Sequence, residues 1–337
     1  MKKIIVMFCM AVSLIGLTAC TKFEKKVSKD IFAMDTYMTL TCYGTEAEEA
    51  IELAIDEIER LDKLWSVGNS ESEVNKINNR SDIKLSEDSI KVIEKSRYIY
   101  NTTGGAFDIT VRPLMQLWGF EKGSLNIPSE KEISDILPLC DLKKLSVNKD
   151  VLNMEKGMGI DFGGIAKGYT SSRLMEIFGD FNIKYAIVSL GGNIQCFGKK
   201  TDGSLFNIAI KNPDSGKNDG LIGSVRVGGK AVITSGGYER YFTDEKTGKK
   251  YCHIIDPRTG YPAETDVQSV TIVSEDGMLA DGLSTACYVM GRQGSIDYWM
   301  EHKSEFDFII LGDDNIVYVT SGISDYFETD YKIKIIG

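Results

Sequence analysis

The spacing of apolar residues along the first third of the chain predicts one strand and two helices. Apolar and polar residues alternate over residues 31–43, which predicts a strand, and Thr45 with Glu48 has the sequence of a capping box that opens a helix over residues 45–62. A second helix is predicted over residues 86–102. The first helix has one apolar face, formed by residues three and four positions apart: Ala47, Ala50, Ile51, Ala54, Ile55, Ile58 and Leu61.

The later part of the chain carries mostly short apolar runs typical of strands. Two further helices are predicted, over residues 165–179 and 277–290. The predicted strands cover residues 185–190, 206–210, 224–227, 231–234, 307–311, 316–320 and 326–336. Because several strands follow one another without an intervening helix, the pattern predicts an α+β fold with mixed, largely antiparallel sheets and packed helices.

The N-terminal segment has the pattern of a secretion signal. Lys2 and Lys3 precede an apolar run over residues 4–17, which is too short to cross a bilayer comfortably. The run ends in Leu-Thr-Ala-Cys, which resembles the lipobox of bacterial lipoproteins, so Cys20 is the expected lipidation site; plain secretion with cleavage nearby is the alternative. We therefore expect a signal peptide at 1–19, a tether at 20–29, a single domain at 30–337, and a lipid-anchored protein on the extracytoplasmic side of the cell membrane.

Charge and cysteine content exclude several classes of function. The formal net charge is −10, and it becomes −12 when the two lysines of the signal peptide are removed, which argues against nucleic-acid binding. The five cysteines after Cys20 are widely spaced and form no C-x-x-C pair, so neither a disulfide framework nor a zinc knuckle is indicated. With only two histidines in the chain, any metal should be a hard cation held by oxygen, by default magnesium.

A glycine-rich stretch over residues 157–173 is suited to a phosphorylated ligand. Asp161 is followed by Gly163 and Gly164, and Lys167 lies in the first turn of the predicted helix. Paired glycines let backbone amides approach an anion, and a helix N-terminus favours negative charge. The spacing fits neither a P-loop nor a dinucleotide fingerprint, and tight strand-to-helix packing is an equal alternative.

Two further segments carry residues suited to chemistry. His253 lies within a strand-like run that precedes the turn sequence Asp256-Pro-Arg-Thr-Gly, and it is either structural or a general base. Asp281 and Thr285 are four residues apart on one helix face, where they could hold a magnesium ion together or serve as a cap and a backbone-bonded threonine.

Seven short motifs in this order resemble the ApbE family of FAD:protein FMN transferases over nearly the whole mature chain. They are Met34-Asp35-Thr36, Ala106-Phe107-Asp108, residues 161–168, residues 189–193, Thr234-Ser235-Gly236, residues 253–260 and residues 281–285. The resemblance implies two intimate lobes around an FAD cleft. It also implies a magnesium enzyme that cleaves FAD, joins FMN to a threonine or serine of another protein, and releases AMP.

The resemblance also implies partners and residue roles. Known acceptors of the family are flavoprotein subunits of sodium-pumping NADH:quinone reductase and of the related ion-translocating ferredoxin:NAD reductase. By similarity the magnesium ligands are Asp281, Thr285 and the carbonyl of Gly164, and the catalytic residues are His253 as base, Asp256 as its support or that of its loop, and Lys167. The FAD-binding residues are Met34, Ala106, Phe107, Asp108, Asp161, Lys167, Ile255 and Ser284.

Two other activities remain open at this point, and the segment after Ser66 departs from the family pattern. An FAD pyrophosphatase would use water as nucleophile at the same site, and a lipid-anchored flavin carrier would bind FAD without releasing AMP. Family members often carry a flavin-stacking aromatic residue after the motif at Ser66, where this chain has Gly68. Trp65, Tyr238 or Tyr241 could take its place.

Overall fold

The computed structural model describes residues 25–79, 84–121 and 123–337. The helices are Ala47–Trp65 (α1), Glu73–Asn78 (α2), Glu87–Thr102 (α3), Arg112–Leu117 (α4), Glu130–Ile136 (α5), Ala166–Asp180 (α6) and Gly277–Glu301 (α7). The strands are Lys25–Ala33 (β1), Thr36–Gly44 (β2), Ser146–Asn148 (β3), Val151–Asn153 (β4), Ile183–Leu190 (β5), Asn193–Gly198 (β6), Phe206–Lys211 (β7), Leu221–Val227 (β8), Ala231–Ser235 (β9), Tyr241–Thr243 (β10), Lys250–Cys252 (β11), Val267–Ser274 (β12), Asp307–Gly312 (β13), Ile316–Thr320 (β14), Phe327–Glu328 (β15) and Lys332–Ile336 (β16).

A nine-stranded sheet in the order β1-β2-β5-β6-β9-β12-β13-β14-β16 organises the fold. Every neighbouring pair in it is antiparallel except β14 with β16. The predicted α+β class with largely antiparallel sheets is therefore confirmed. Smaller sheets pair β10 with β11, β3 with β4, and β15, β8 and β7 in that order.

The central strands are buried on both faces, which explains their nearly continuous apolar sequences. Ile272 of β12 and Ile310 of β13 pack on the side of α3 and α7, whereas Val273 and Leu311 pack against the small sheet that contains β7 and β8. At the other end of the sheet, α1 and α6 cover β1, β2 and β5. Alternate residues of each strand thus supply two separate cores.

The start of the domain differs from the sequence prediction. The single strand predicted over residues 31–43 is a hairpin, because Met34 and Asp35 adopt positive φ angles of 48° and 57° and turn the chain. β1 pairs with β2 from Lys25 onward, so residues 25–29 are part of the sheet and not of a tether. Cys20 and the signal peptide lie outside the described residues.

The capping box predicted at Thr45 is not formed. The N-cap of α1 is Glu46, with no side-chain cap hydrogen bond, and Thr45 Oγ1 is buried without a partner among the described residues. The two glutamates are used elsewhere: Glu46 accepts a hydrogen bond from the Asn182 amide at 2.6 Å, and Glu48 contacts Lys25. Tertiary contacts therefore replace the local cap.

The remaining helices agree better with the prediction. Ser86 caps α3 through a bond from the Ser89 amide. The helix predicted over residues 277–290 forms the first part of α7, where Gly291 leaves helical geometry with a φ of 72° before helical turns resume. The strand predicted over residues 326–336 is divided into β15 and β16. No helix within the described ranges is both long and apolar enough to span a bilayer.

Candidate functional site

A single cleft of about 640 Å³ collects most of the residues that the sequence predicted to be functional. Its walls come from the β1-β2 turn, the loop before α6, the ends of β5 and β9, strand β7, and the segment after β11. The predicted residues that line it are Met34, Ala106, Phe107, Asp108, Asp161, Gly164, Lys167, His253, Ile255, Asp281 and Thr285. Asp256 and Ser284 do not line it.

Asp281 is held in one orientation at the base of the cleft. It is 4% exposed, and its Oδ1 and Oδ2 accept hydrogen bonds from Asn193 Nδ2 at 2.9 Å and from the Gly168 amide at 2.7 Å. A Cβ on Gly168 would lie 2.5 Å from Asp281 Cβ and 2.3 Å from the Gly277 carbonyl oxygen, so only glycine lets α6 and α7 approach this closely. The helix crossing itself sets the direction of the carboxylate.

The oxygen atoms next to Asp281 fit a hard cation. Thr285 follows one turn later on α7, and a Cβ built on Gly164 would lie 3.8 Å from Thr285 Oγ1, which places the loop before α6 beside that hydroxyl. Within the described residues no group of three or more His, Cys, Asp or Glu side chains could hold a metal. One carboxylate, one hydroxyl and one carbonyl suit magnesium, which commonly completes its coordination with water and substrate phosphates.

The beginning of α6 offers an anion the charge of Lys167, whereas several of its backbone N–H groups are already hydrogen-bonded within the protein. The Ala166 amide donates to the Phe162 carbonyl at 2.8 Å and the Gly168 amide donates to Asp281, so the expected row of unpaired helix N–H groups is partly used within the protein. Lys167 is half-buried, lines the cleft, and has no ion-pair partner among the described residues. The Lys167 ammonium is therefore a positive charge that an anionic ligand in the cleft could bind.

Asp161 and Asp108 are carboxylates with different surroundings. Asp161 Oδ1 accepts from the Gly163 amide at 2.6 Å and so shapes the glycine turn, and burial in the cleft raises the pKa of Asp161. Asp108 accepts from both Thr110 groups at 2.6 and 2.7 Å and from the Leu142 amide at 3.0 Å. Asp108 thus orders the wall that Ala106 and Phe107 present.

His253 lines the cleft from the segment that follows β11. Its Nδ1 is 3.1 Å from the carbonyl oxygen of Arg240, and a carbonyl only accepts, so the neutral ring carries its proton on Nδ1 and leaves the Nε2 lone pair free. Burial, and to a smaller extent the charges of Arg240 and Lys167, lower the pKa of His253 to about 4. The ring is therefore a neutral base near pH 7.

The two predicted residues outside the lining have clear structural contacts. The Asp256 carboxylate binds the Arg258 guanidinium at 2.8 and 2.9 Å, so it supports the turn after β11 and does not contact His253. Ser284 is buried and its hydroxyl lies 2.7 Å from Ser235 Oγ, which ties α7 to the end of β9. Both residues hold the frame around the cleft.

The aromatic residues proposed to stack on a flavin are placed differently. Trp65 lines the cleft but is 6% exposed, with its Nε1 donating to Ser89 at 2.9 Å and its ring packed edge-on against Phe162 and Tyr169. Tyr238 lines the cleft and is partly exposed, whereas Tyr241 is outside the lining. Tyr238 is the more available of the two lining rings.

Two residues of the cleft, Asn193 and Arg240, had no role predicted from the sequence. Asn193 belongs to a recognised motif, and an amide that follows two glycines at a strand end was a usable signal for a polar contact in the cleft. Arg240 acts through its backbone carbonyl, while its side chain donates to the Phe120 carbonyl at 2.8 Å. A main-chain contact of this kind has no sequence signal.

Comparison with known proteins gives one consistent family. The model of the ApbE family matches residues 34–310. An FAD:protein FMN transferase of Haemophilus influenzae is 28% identical over 336 residues, covering 94% of this chain and 96% of the relative. One of Klebsiella pneumoniae is 32% identical over 240 residues, covering 69% of this chain and 73% of the relative.

Solved structures agree with the fold. The ApbE protein of Thermotoga maritima superposes with a TM-score of 0.81 at 30% identity, covering 90% of this chain and 99% of that chain. The apo flavinyl transferase ApbE of Pseudomonas stutzeri superposes with a TM-score of 0.77 at 26% identity, covering 92% and 95%. The similarity therefore extends over the sheet and the helices that form the cleft.

Proposed function

The chain belongs to the ApbE family, and from this premise we propose that it is a magnesium-dependent FAD:protein FMN transferase. The observation that carries the proposal is the convergence, in one cleft, of an oriented carboxylate at Asp281, a cation at Lys167 and a neutral base at His253. A pyrophosphate needs charge neutralisation on one side and a base for the incoming hydroxyl on the other. The cleft offers both.

The FAD pyrophosphate is the expected ligand of the charged end. Asp281, Thr285 and the Gly164 carbonyl are the groups that would hold Mg²⁺ beside it, and Lys167 adds a direct positive charge. A bound Mg²⁺ would neutralise the phosphate oxygens and the charge that develops on the departing AMP. Phe107 and Ala106 form part of the apolar wall available to the flavin.

The transfer step exchanges one phosphorus–oxygen bond for another. The hydroxyl oxygen of an acceptor threonine or serine attacks the phosphorus of the FMN half, and the bond from that phosphorus to the bridging oxygen breaks. AMP leaves with the electron pair, and the hydroxyl proton passes to Nε2 of His253, which the bond to the Arg240 carbonyl leaves unprotonated. FMN is then joined to the acceptor by a phosphoester.

The proposal also includes partners and location. We infer that the acceptor is a flavoprotein subunit of an ion-translocating NADH:quinone or ferredoxin:NAD reductase, and that Cys20 carries the lipid that anchors the protein outside the cytoplasm. The lipobox sequence and the family membership support these statements. Loss of metabolic palmitate labelling in Cys20→Ala would test the anchor.

The direct test measures AMP release from FAD with Mg²⁺, with and without the flavin-accepting subunit of a sodium-pumping NADH:quinone reductase, followed by mass analysis of that subunit. We expect AMP release to need the acceptor, and an FMN-sized increase in mass on one of its threonine or serine residues. Equal AMP release without acceptor would instead identify an FAD pyrophosphatase. FAD that binds and stays intact would identify a carrier.

A further inference from the structure

An exposed aromatic pair stands beside the cleft on the β1-β2 hairpin. The rings of Phe32 and Tyr37 are 63% and 81% exposed and pack edge-on with their centroids 5.2 Å apart. The two residues are directly paired across the strands. Tyr37 directly follows Thr36, which lines the cleft, and Phe32 lies two residues before Met34, which also lines it. Large apolar side chains left in solvent next to an active-site opening indicate a contact surface.

A short series of contacts connects the aromatic pair to Asp281, at the charged end of the cleft. The Tyr37 carbonyl accepts from the Gly191 amide at 3.2 Å, and Asn193, two residues later, holds Asp281. Two residues of chain span at most about 7 Å. A polypeptide lying against Phe32 and Tyr37 can therefore bring a side chain into the cleft.

The other side chains on the same face of the β1-β2 hairpin contact one another and so do not form an exposed apolar surface. Thr39 donates to Asp30 at 2.6 Å, Ser28 and Thr41 are 2.8 Å apart, and Lys26 lies over the ring of Tyr43. The polar groups of these cross-strand pairs are thus used within the hairpin. Apolar exposure on this face is thus concentrated at the end next to the cleft.

We propose that Phe32 and Tyr37 form the docking surface for the acceptor protein, and that they bind an apolar side chain on an extended segment near the accepting threonine or serine. This inference rests on the proposed transferase function. β1 is the edge strand of the main sheet within the described residues, so its outer backbone groups can pair with an extended segment. Aromatic side chains at such a position commonly dominate binding.

The position of the aromatic pair favours contact with an acceptor protein over contact with the membrane surface. The basic end of β1, at Lys25 and Lys26, is the end that follows the expected lipid anchor. Phe32 is seven residues further along, about 24 Å at the rise of an extended strand. The aromatic pair is therefore at the far end of the strand from the anchor and beside the opening of the cleft.

The test compares a Phe32→Ser, Tyr37→Ser double variant with the wild type and with Tyr326→Ser, which removes another aromatic ring that is 46% exposed. The acceptor is the same sodium-pumping NADH:quinone reductase subunit. We expect KM for the acceptor to rise about tenfold, because a central aromatic contact is lost, with FAD affinity, melting temperature and kcat at saturating acceptor unchanged. A Phe32→Leu, Tyr37→Phe variant should keep most of the affinity.

Other outcomes would overturn the assignment in distinguishable ways. Wild-type transfer with the same acceptor KM in the double variant would remove the docking role and leave the transferase intact. An unchanged KM with less of the double variant in the membrane fraction would make the pair a membrane contact. If the wild type transfers no FMN, the proposed function fails and the docking role fails with it.

Discussion

The two sides of the cleft are built differently. The side that carries Asp281 is part of the core: its carboxylate is buried, fixed by two N–H donors, and set by the close crossing of α6 and α7. The side that carries His253 follows the small β10-β11 ribbon and is partly exposed, held by the Arg240 carbonyl and a turn supported by Asp256.

The difference corresponds to the two substrates that the proposed reaction needs. Charge neutralisation works best when its groups are fixed in advance and shielded from water. A base for a protein hydroxyl must instead be reachable from outside. The buried side therefore suits the pyrophosphate of FAD, and the open side suits the acceptor.

The largest effect is expected at the buried side. Asp281→Asn keeps the shape but removes the charge, and we expect the transfer rate to fall about 10³-fold or more, because Asp281 is the only charged group of the three that would hold the cation. Steady-state transfer at several Mg²⁺ concentrations would measure it. Asp297→Asn, which changes an exposed carboxylate on the same helix, is the control and should keep full activity. Wild-type rates in Asp281→Asn would exclude the metal role.

Removal of the general base should lower the transfer rate less than removal of the Asp281 charge does. His253→Ala is expected to lower kcat about 10²-fold, the lower end of the usual range for a general base, while FAD binding stays within about twofold. Single-turnover transfer together with FAD titration separates the two effects. The chain's other histidine provides the control, since His302 bonds to the Tyr298 carbonyl outside the cleft lining. An unchanged kcat would refute the assignment.

The residue that orients Asp281 should have an intermediate effect. Asn193→Ala removes the 2.9 Å bond to Oδ1, and we expect Mg²⁺ affinity to fall about 10- to 100-fold with a smaller change in kcat at saturating Mg²⁺. The measurement is the Mg²⁺ dependence of AMP release. Asn207→Ala on the exposed side of β7 is the matched control. A loss that saturating Mg²⁺ does not restore would point to a role in FAD binding instead.

The pH profile distinguishes a base whose pKa is lowered from an ordinary histidine. With the pKa of His253 at about 4, the base is almost fully neutral at pH 6 and the rate should change little between pH 6 and 8. A histidine with the usual pKa of about 6.5 would lose about three quarters of its neutral form at pH 6. Because the folded pKa lies below the unfolded one, protonation favours unfolding, and stability should fall as pH drops from about 6.5 towards 4. Rates and melting temperatures over this range test both statements.

The smallest effect is expected in the turn after β11, which Asp256 supports. Asp256→Asn weakens the pair with Arg258, which is partly exposed, and we expect less than about a threefold loss of rate and at most about 1 kcal/mol of stability. Thermal unfolding and acceptor-saturated rates would measure them. A loss as large as that of His253→Ala would show that Asp256 acts on the base directly, against the contacts seen here.

The sequence by itself determined the elements with strong periodic signals and the residues within short motifs. The helices that became α1, α3, α6 and the first part of α7 follow from apolar spacing, and the largely antiparallel sheet follows from strands that succeed one another without an intervening helix. The glycine-rich stretch with Lys167 was compatible with a phosphorylated ligand, and the spacing of Asp281 and Thr285 was compatible with a cation held by oxygen. These signals are local, because they depend on residues within one or two turns or strands.

Only the tertiary structure decided how those signals combine. Thr45 lost its cap because Glu46 and Glu48 bind partners far along the chain, and two residues with positive φ divided one predicted strand into a hairpin. Asn193 and the Arg240 carbonyl meet Asp281 and His253 only after the strands are paired. Contacts between residues distant in sequence depend on register and helix crossing, which no local pattern encodes.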